Sequence, residues 1–169
     1  MLISIDYQAL NAQLHDSNLG YGVGGWHWIG PILAIARELN AADVLDYGAG
    51  KGTLKRWMPF EFPVINYDPV TFPAEPPICD MAACLDVMEH IEPDCLDDVL
   101  RHIRSKVRKG ALFVISTRLA QKTLQDGRNA HLIVEGEDYW MPKLKEFFRY
   151  VGRIADVGRA DELVLFAKV

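Results

Sequence analysis

The stretch Asp43-Val44-Leu45-Asp46-Tyr47-Gly48-Ala49-Gly50-Lys51-Gly52 decides the fold. Its first five residues read as a buried strand, a short apolar run bounded by turn residues. The strand runs straight into glycines at alternate positions, Gly48, Gly50 and Gly52. Glycine lets the backbone turn sharply and lets a ligand come close, because no Cβ stands in the way. Thr53–Met58 then reads as a short helix, whose first turn offers free backbone N–H groups. A strand, a glycine turn and a helix in that order open a parallel α/β sheet.

Two carboxylates sharpen the motif. Asp46 stands two residues before the first glycine, and Asp68 closes the next strand, Val64–Asp68, 22 residues after Asp46. A carboxylate at that second position can accept both hydroxyls of a ribose. The dinucleotide fingerprint places its third glycine or alanine one position later, where this chain has Thr53. The spacing therefore suits an adenosyl cofactor and disfavours a nucleotide-dependent oxidoreductase.

Working outward, Met81–Asp86 reads as a third strand and Cys95–Lys109 as an amphipathic helix. Leu96, Val99, Leu100, Ile103 and Val107 share one face of that helix, and Lys109-Gly110 stops it before a further strand, Ala111–Ser116. Strands alternating with helices imply a mostly parallel sheet with helices on both faces. In the tail, Asp138–Val151 reads as a helix, and Arg153–Val157 and Glu162–Lys168 as strands. The link Gly158-Arg159-Ala160-Asp161 is too short for a parallel crossover, so this last pair is expected to be antiparallel. Upstream, residues 6–19 and 26–40 read as helices joined by the flexible Gly20-Tyr21-Gly22-Val23-Gly24-Gly25. The expectation is one α/β domain over 1–169, with a helical cap or lid at 1–40 and a Rossmann-like core at 41–169.

A length of 169 residues fits one core, and 50% hydrophobic with 24% charged residues is ordinary globular composition. Apolar runs fall short of a membrane span, and the start lacks a signal-peptide pattern, so a soluble, cytoplasmic protein is expected. Cys79, Cys84 and Cys95 match no zinc spacing and are read as reduced thiols. A net charge of −5 argues against a broad nucleic-acid surface. The local run Arg101-His102-Ile103-Arg104-Ser105-Lys106-Val107-Arg108-Lys109 is read as a solvated helix face with cations at its C-terminus, His102 among the exposed residues. A nucleic-acid contact is the minority alternative.

Asp46-Tyr47-Gly48-Ala49-Gly50-Lys51-Gly52 resembles motif I of class I S-adenosylmethionine-dependent methyltransferases, and Asp68 matches that family's ribose-binding acid. Cys84-Leu85-Asp86-Val87-Met88-Glu89-His90-Ile91 resembles the fourth-strand motif of its small-molecule, ubiquinone-biosynthesis-like branch. The resemblance spans about residues 40–169 and implies S-adenosylmethionine as cofactor, held by Asp46, Gly48, Gly50, Gly52, Asp68 and Asp86. The chain departs from the family between Asp68 and Asp80. Only eleven residues lie there, four of them Pro69, Pro73, Pro76 and Pro77, where the family fits a helix and a third strand. That edge is expected to be absent or reduced to an extended segment. Asp80 is a weak candidate for an adenine contact, or simply the start of the next strand.

Methyl transfer asks the protein mainly for alignment and desolvation, because the sulfonium already activates the methyl group. An oxygen acceptor gains from a base or a metal. His90 and His131 are the catalytic candidates; His15 and His27 have less support. Trp26 and Trp28 either shape the acceptor pocket or anchor their helix. Asp86, Glu89, His90 and His131 together resemble the Glu-x-x-Glu-His plus distant His of Hen-type small-RNA 2′-O-methyltransferases, with Asp86 in place of the first Glu. Such a set suits Mg²⁺ or Mn²⁺. The plainer alternative makes Glu89 a helix cap and the histidines loop residues or a metal-free base. The chain lacks the Asn/Asp-Pro-Pro-aromatic run of DNA amino-methyltransferases and a second domain, so sequence-specific DNA binding is not expected. Expected acceptors are an oxygen of a small molecule, a sugar or an RNA terminus. The alternative is a non-catalytic cofactor-binding module on a degenerate methyltransferase fold.

Overall fold

The computed structural model describes residues 1–155 and 157–169. Its described strands form one sheet in the order β2-β1-β3-β4-β6-β5. β1 (Val44–Tyr47), β2 (Val64–Tyr67), β3 (Cys79–Leu85) and β4 (Val107–Ser116) are parallel. β6 (Glu162–Lys168) runs antiparallel to β4, and β5 (Tyr150–Arg153) antiparallel to β6.

The alternation of side chains along the strands builds two cores. In β4, Ala111, Phe113 and Ile115 point to one face, and Leu112 and Val114 to the other. The first face is covered by α4 (Leu96–Ser105) and α5 (Glu137–Lys145), through Val99, Leu100, Ile103, Trp140 and Leu144. The second is covered by α2 (Ile29–Glu38) and α3 (Thr53–Trp57), through Ile32, Ile35 and Leu54. Each such fully buried side chain contributes about 1.5–3 kcal/mol. The mostly parallel sheet, helices on both faces and antiparallel last strand match the architecture expected from the sequence.

α1 (Ile5–Ser17) covers neither face. Its N-terminus is capped by Ser4, whose Oγ accepts the Tyr7 N–H at 3.1 Å. Tyr7, Leu10 and Leu14 pack on Leu124, Ala130 and Leu132 of the loop after β4, which lays α1 over the rim of the sheet.

Two local expectations are corrected. The basic run is not one long helix: α4 ends at Ser105 and β4 begins at Val107, with Gly110 inside the strand. A Cβ on Gly110 would lie 2.5 Å from the Ala167 carbonyl oxygen, so this glycine serves close strand packing rather than a helix stop. In the tail, α5 ends at Lys145 and β5 starts at Tyr150, earlier than the expected strand at Arg153–Val157. Asp156 of that expected strand lies outside the described residues. The reduced edge expected from the sequence is present: β2 is an edge of the sheet, and between Asp68 and Cys79 the described chain has only a single antiparallel bridge, Asp68 with Phe72. No helix among the described residues is long and apolar enough to cross a membrane.

Candidate active site

A cavity of about 390 Å³ opens at the C-terminal ends of the parallel strands, as open α/β sheets predict. Its floor includes Asp46, Gly48 and Gly50 after β1, Asp68 after β2, and Asp86, Glu89 and His90 after β3. Lys122 and His131 come from the loop after β4, and Tyr7, Asn11 and Tyr21 from the N-terminal segment.

The glycine loop is held in conformations that favour glycine, with φ of 82° at Gly48, 52° at Gly50 and 67° at Gly52. A Cβ on Gly50 would stand 2.8 Å from the backbone of Gly22. The Lys51 N–H donates to the Gly22 carbonyl at 2.9 Å, so the 20–25 segment is docked directly on the loop. Asp68 ties the second strand to the same loop. It is buried, and its Oδ2 accepts the Gly50 N–H at 3.1 Å. Its Oδ1 accepts the N–H groups of Val70 and Thr71 at 2.9 and 3.0 Å. Asp46 is buried beside it, and burial, aided by the charge of Asp68, pushes its carboxyl up to about 7.

The turn after β3 is zipped to the loop after β4. The Glu89 carbonyl accepts the N–H groups of Leu132 and Ile133 at 2.7 and 3.0 Å, and His90 Nδ1 donates to the Ala130 carbonyl at 2.7 Å. These bonds bring His131 to His90, ring centroids 4.8 Å apart. His131 Nδ1 donates in turn to the Arg118 carbonyl at 2.6 Å. Both imidazoles therefore keep Nδ1 protonated and present an unprotonated Nε2. Burial, then the neighbouring His131, holds His90 down at about 4; burial likewise lowers His131. Glu89 is fully buried: Oε1 accepts the Ser116 N–H at 2.9 Å, and Oε2 has no partner among the described residues. Burial, with the charge of Asp86, pushes its carboxyl up to about 8.

Glu89, His90 and His131 each offer one ligand atom, and these atoms lie within 4.8 Å of one another. Asp86 lines the same cavity but stands outside that cluster. It occupies a left-handed turn, φ 54°, on the side where Glu162, Arg159 and Arg118 act on its charge. Burial pushes its carboxyl up to about 6 even though its surface opens to the cavity.

One sequence expectation fails here, and for Asp80 the plainer of the two readings holds, the start of a strand. Asp80 lies at the N-terminal end of β3, far in topology from the rim, where it accepts the Ala42 N–H at 2.9 Å and pairs with Arg108 and Lys109 at 3.3 and 2.9 Å. That pairing also accounts for part of the basic run. His102 is not an exposed surface residue: its side chain is 12% exposed, Nδ1 sits 2.8 Å from the Tyr47 hydroxyl, and Nε2 lies 3.2 Å from Glu75. Of the tryptophans, Trp28 is buried against α2, whereas Trp26 is half exposed and stacks on His27 at 3.6 Å. Sequence reasoning passed over Tyr7, Asn11 and Lys122, which carry no motif and reach the cavity only through the packing of α1 on the loop after β4.

A family profile described as a methyltransferase domain matches residues 28–153. The chain belongs to the class I S-adenosylmethionine-dependent methyltransferase family. It is an S-adenosylmethionine-dependent methyltransferase. Solved structures share the fold at low identity. A DhpI complex with S-adenosylhomocysteine is 18% identical, with a TM-score of 0.57 over 95% of this chain and 92% of that one. The 1,6-didemethyltoxoflavin-N1-methyltransferase of Burkholderia thailandensis, bound to its acceptor and S-adenosylhomocysteine, is 20% identical, with a TM-score of 0.55 over 96% and 88%. The methyltransferase domain of a bacterial Hen1 is 15% identical, with a TM-score of 0.54 over 84% and 98%. No curated protein matches the methyltransferase by sequence.

Proposed function

We propose that this methyltransferase transfers the methyl group to an oxygen of a small molecule, a sugar or an RNA terminus, on a centre formed by Glu89, His90 and His131. The observation that carries this reading is the convergence of Glu89, His90 and His131, each with a ligand atom within 4.8 Å of the others, in the cavity that Asp46 and Asp68 also line. When bound, S-adenosylmethionine supplies an activated methyl on its sulfonium, so the chain's own work is placement and proton handling. Asp68, with lone pairs left beyond its three backbone bonds, would hold the ribose. Gly48, Gly50 and Gly52 would let the backbone approach the cofactor, with Asp46 beneath it; Asp86 would lie at the cofactor–acceptor boundary.

The donor set fits Mg²⁺ or Mn²⁺. Glu89, His90 and His131 would hold the ion, which would lower the pKa of an acceptor hydroxyl. The Ala130 and Arg118 carbonyls fix both rings through Nδ1, the outer-shell arrangement that orients metal-binding imidazoles.

Calorimetry with S-adenosylhomocysteine tests the cofactor half. Asp68→Ala should weaken binding at least hundredfold, since charge-assisted hydrogen bonds are worth about 1.5–3 kcal/mol each. Mn²⁺ binding to the full chain, followed by electron paramagnetic resonance, tests the acceptor half. It should be lost in His90→Ala and His131→Ala while S-adenosylhomocysteine still binds. Full activity in excess EDTA on an identified acceptor would remove the metal and leave the free Nε2 of His131 or His90 as the general base.

A further inference from the structure

Three cations line the cavity: Arg118, Lys122 and Arg159. Two have carboxylates of their own. Arg118 pairs with Asp161, and Arg159 reaches Glu162 at 3.7 Å. Lys122 has no carboxylate within ion-pair distance among the described residues. Its Nζ instead lies 4.8 Å from the centroid of the Tyr21 ring, which two imidazoles meet edge-on, His15 at 4.7 Å and His90 at 5.8 Å. Lys122 is half-buried, and burial, with the charge of Lys51, disfavours its charged form. A partly desolvated ammonium that faces a cavity without an internal counter-ion is complementary to an anion arriving from outside.

Its chain position gives the direction of that complement. Lys122 and His131 sit on one loop, closed by the Ala130 N–H donating to the Lys122 carbonyl at 3.0 Å. The ammonium is thus fixed to the segment that delivers His131, and not to the glycine loop or the end of β2.

We infer that the acceptor carries an anionic group, a carboxylate or a phosphate, that seats against the Lys122 ammonium beside Tyr21. The inference rests on the proposed acceptor centre at His90 and His131 and specifies the class of molecule it serves.

The test uses the full chain, saturated with S-adenosylhomocysteine and freed of metal with EDTA. Inorganic phosphate and acetate are titrated separately while the backbone amides of Tyr21, Lys122 and Thr123 are followed by NMR, with chloride at matched ionic strength as control. A saturable response to either anion, weakened at least tenfold in Lys122→Gln, supports the inference. Tighter phosphate indicates a phosphorylated acceptor, and tighter acetate a carboxylic acid. A response no different from chloride, or unchanged in Lys122→Gln, overturns it. So does a tenfold loss of S-adenosylhomocysteine affinity in Lys122→Gln with 5′-methylthioadenosine binding unaffected, because the lysine then holds the cofactor's own carboxylate. Cofactor affinity of the wild-type chain is measured first by calorimetry: failure there counts against the cofactor assignment, whereas the absence of an anion response in the wild-type chain with intact cofactor binding counts against this subsite alone.

Discussion

The two halves of the cavity are built by different means. The half around Asp46, the glycine loop and Asp68 is made from two adjacent parallel strands and the turns that follow them, joined by backbone hydrogen bonds from Gly50, Val70 and Thr71 to one carboxylate. The half around Glu89, His90, Lys122 and His131 joins a turn to a distant loop, and α1 then folds over both. The first half is set by local sequence and by bonds between neighbouring strands. The second depends on long-range closure, so its parts should separate more readily under mutation.

Gly50→Val is the harshest way to break the first half. The left-handed backbone there costs a non-glycine residue about 1–2 kcal/mol. The new side chain would also enter the backbone of Gly22, since even a Cβ would stand 2.8 Å away. S-adenosylhomocysteine affinity should fall at least hundredfold by calorimetry, and hydrogen exchange at 20–25 should rise as the segment lifts. Normal affinity with unchanged exchange would mean that the segment is not needed to shape the cofactor half.

This asymmetry explains what the sequence reveals. β1, its glycines and Asp68 are legible because strand, turn and ligand-facing acid follow one another within a short stretch of chain. Glu89 and His90 are legible as chemistry-bearing residues, yet the bond that places His131 beside them runs through the Glu89 carbonyl, which no residue type announces. Lys122 and Tyr7 are illegible for the same reason. Asp80 stays ambiguous in sequence because an acid at a strand start and one at a strand end look alike there, although the sheet puts them at opposite ends of its strands. His102 misleads because its helix looks solvated at that face, whereas the shortened 69–78 segment brings Glu75 over it.

Glu89→Ala probes the second half at its junction. It leaves the Ser116 N–H without its buried acceptor, which costs about 1–3 kcal/mol and is measurable by urea unfolding. Glu89→Gln can still accept that N–H and should recover most of the loss, while Mn²⁺ binding stays abolished in both. Equal stability of wild type and Glu89→Ala would show that the carboxylate does not brace the turn.

The burial of acids in both halves sets a pH dependence. Asp46 is raised to about 7 in the folded chain, so the fold binds a proton that the unfolded chain, with its ordinary value of 3.8, has released. Stability is then greatest at low pH and falls as pH rises through the folded value; it is flat above it. Glu89 at about 8 acts in the same direction, whereas His90 and His131, which burial keeps neutral, act against it below their ordinary value of 6.5. Without ligand, unfolding free energy should therefore fall between about pH 6.5 and about pH 8, by on the order of 1–2 kcal/mol. Asp46→Asn should flatten the part of the slope that ends near neutrality. A wild-type curve that rises with pH over this range would show that these acids are solvated or paired in solution.

The smallest effect is expected at the edge strap that replaces the missing third strand. His102 links Tyr47, one of the residues that line the cavity, to Glu75 on the strap. His102→Leu removes the partner of a largely buried hydroxyl and should cost about 1 kcal/mol in urea unfolding. Removing both partners of a buried hydrogen bond costs less than removing one, so adding Tyr47→Phe to His102→Leu should restore much of that loss. Cofactor affinity is the sharper readout. If the strap only closes the sheet edge, S-adenosylhomocysteine should bind His102→Leu within about threefold of wild type, a difference below 1 kcal/mol. A tenfold loss that Tyr47→Phe does not repair would make residues 69–78 a wall of the cofactor half, positioned from α4. The line between the two halves would then lie farther from the glycine loop than β1 and β2 alone place it.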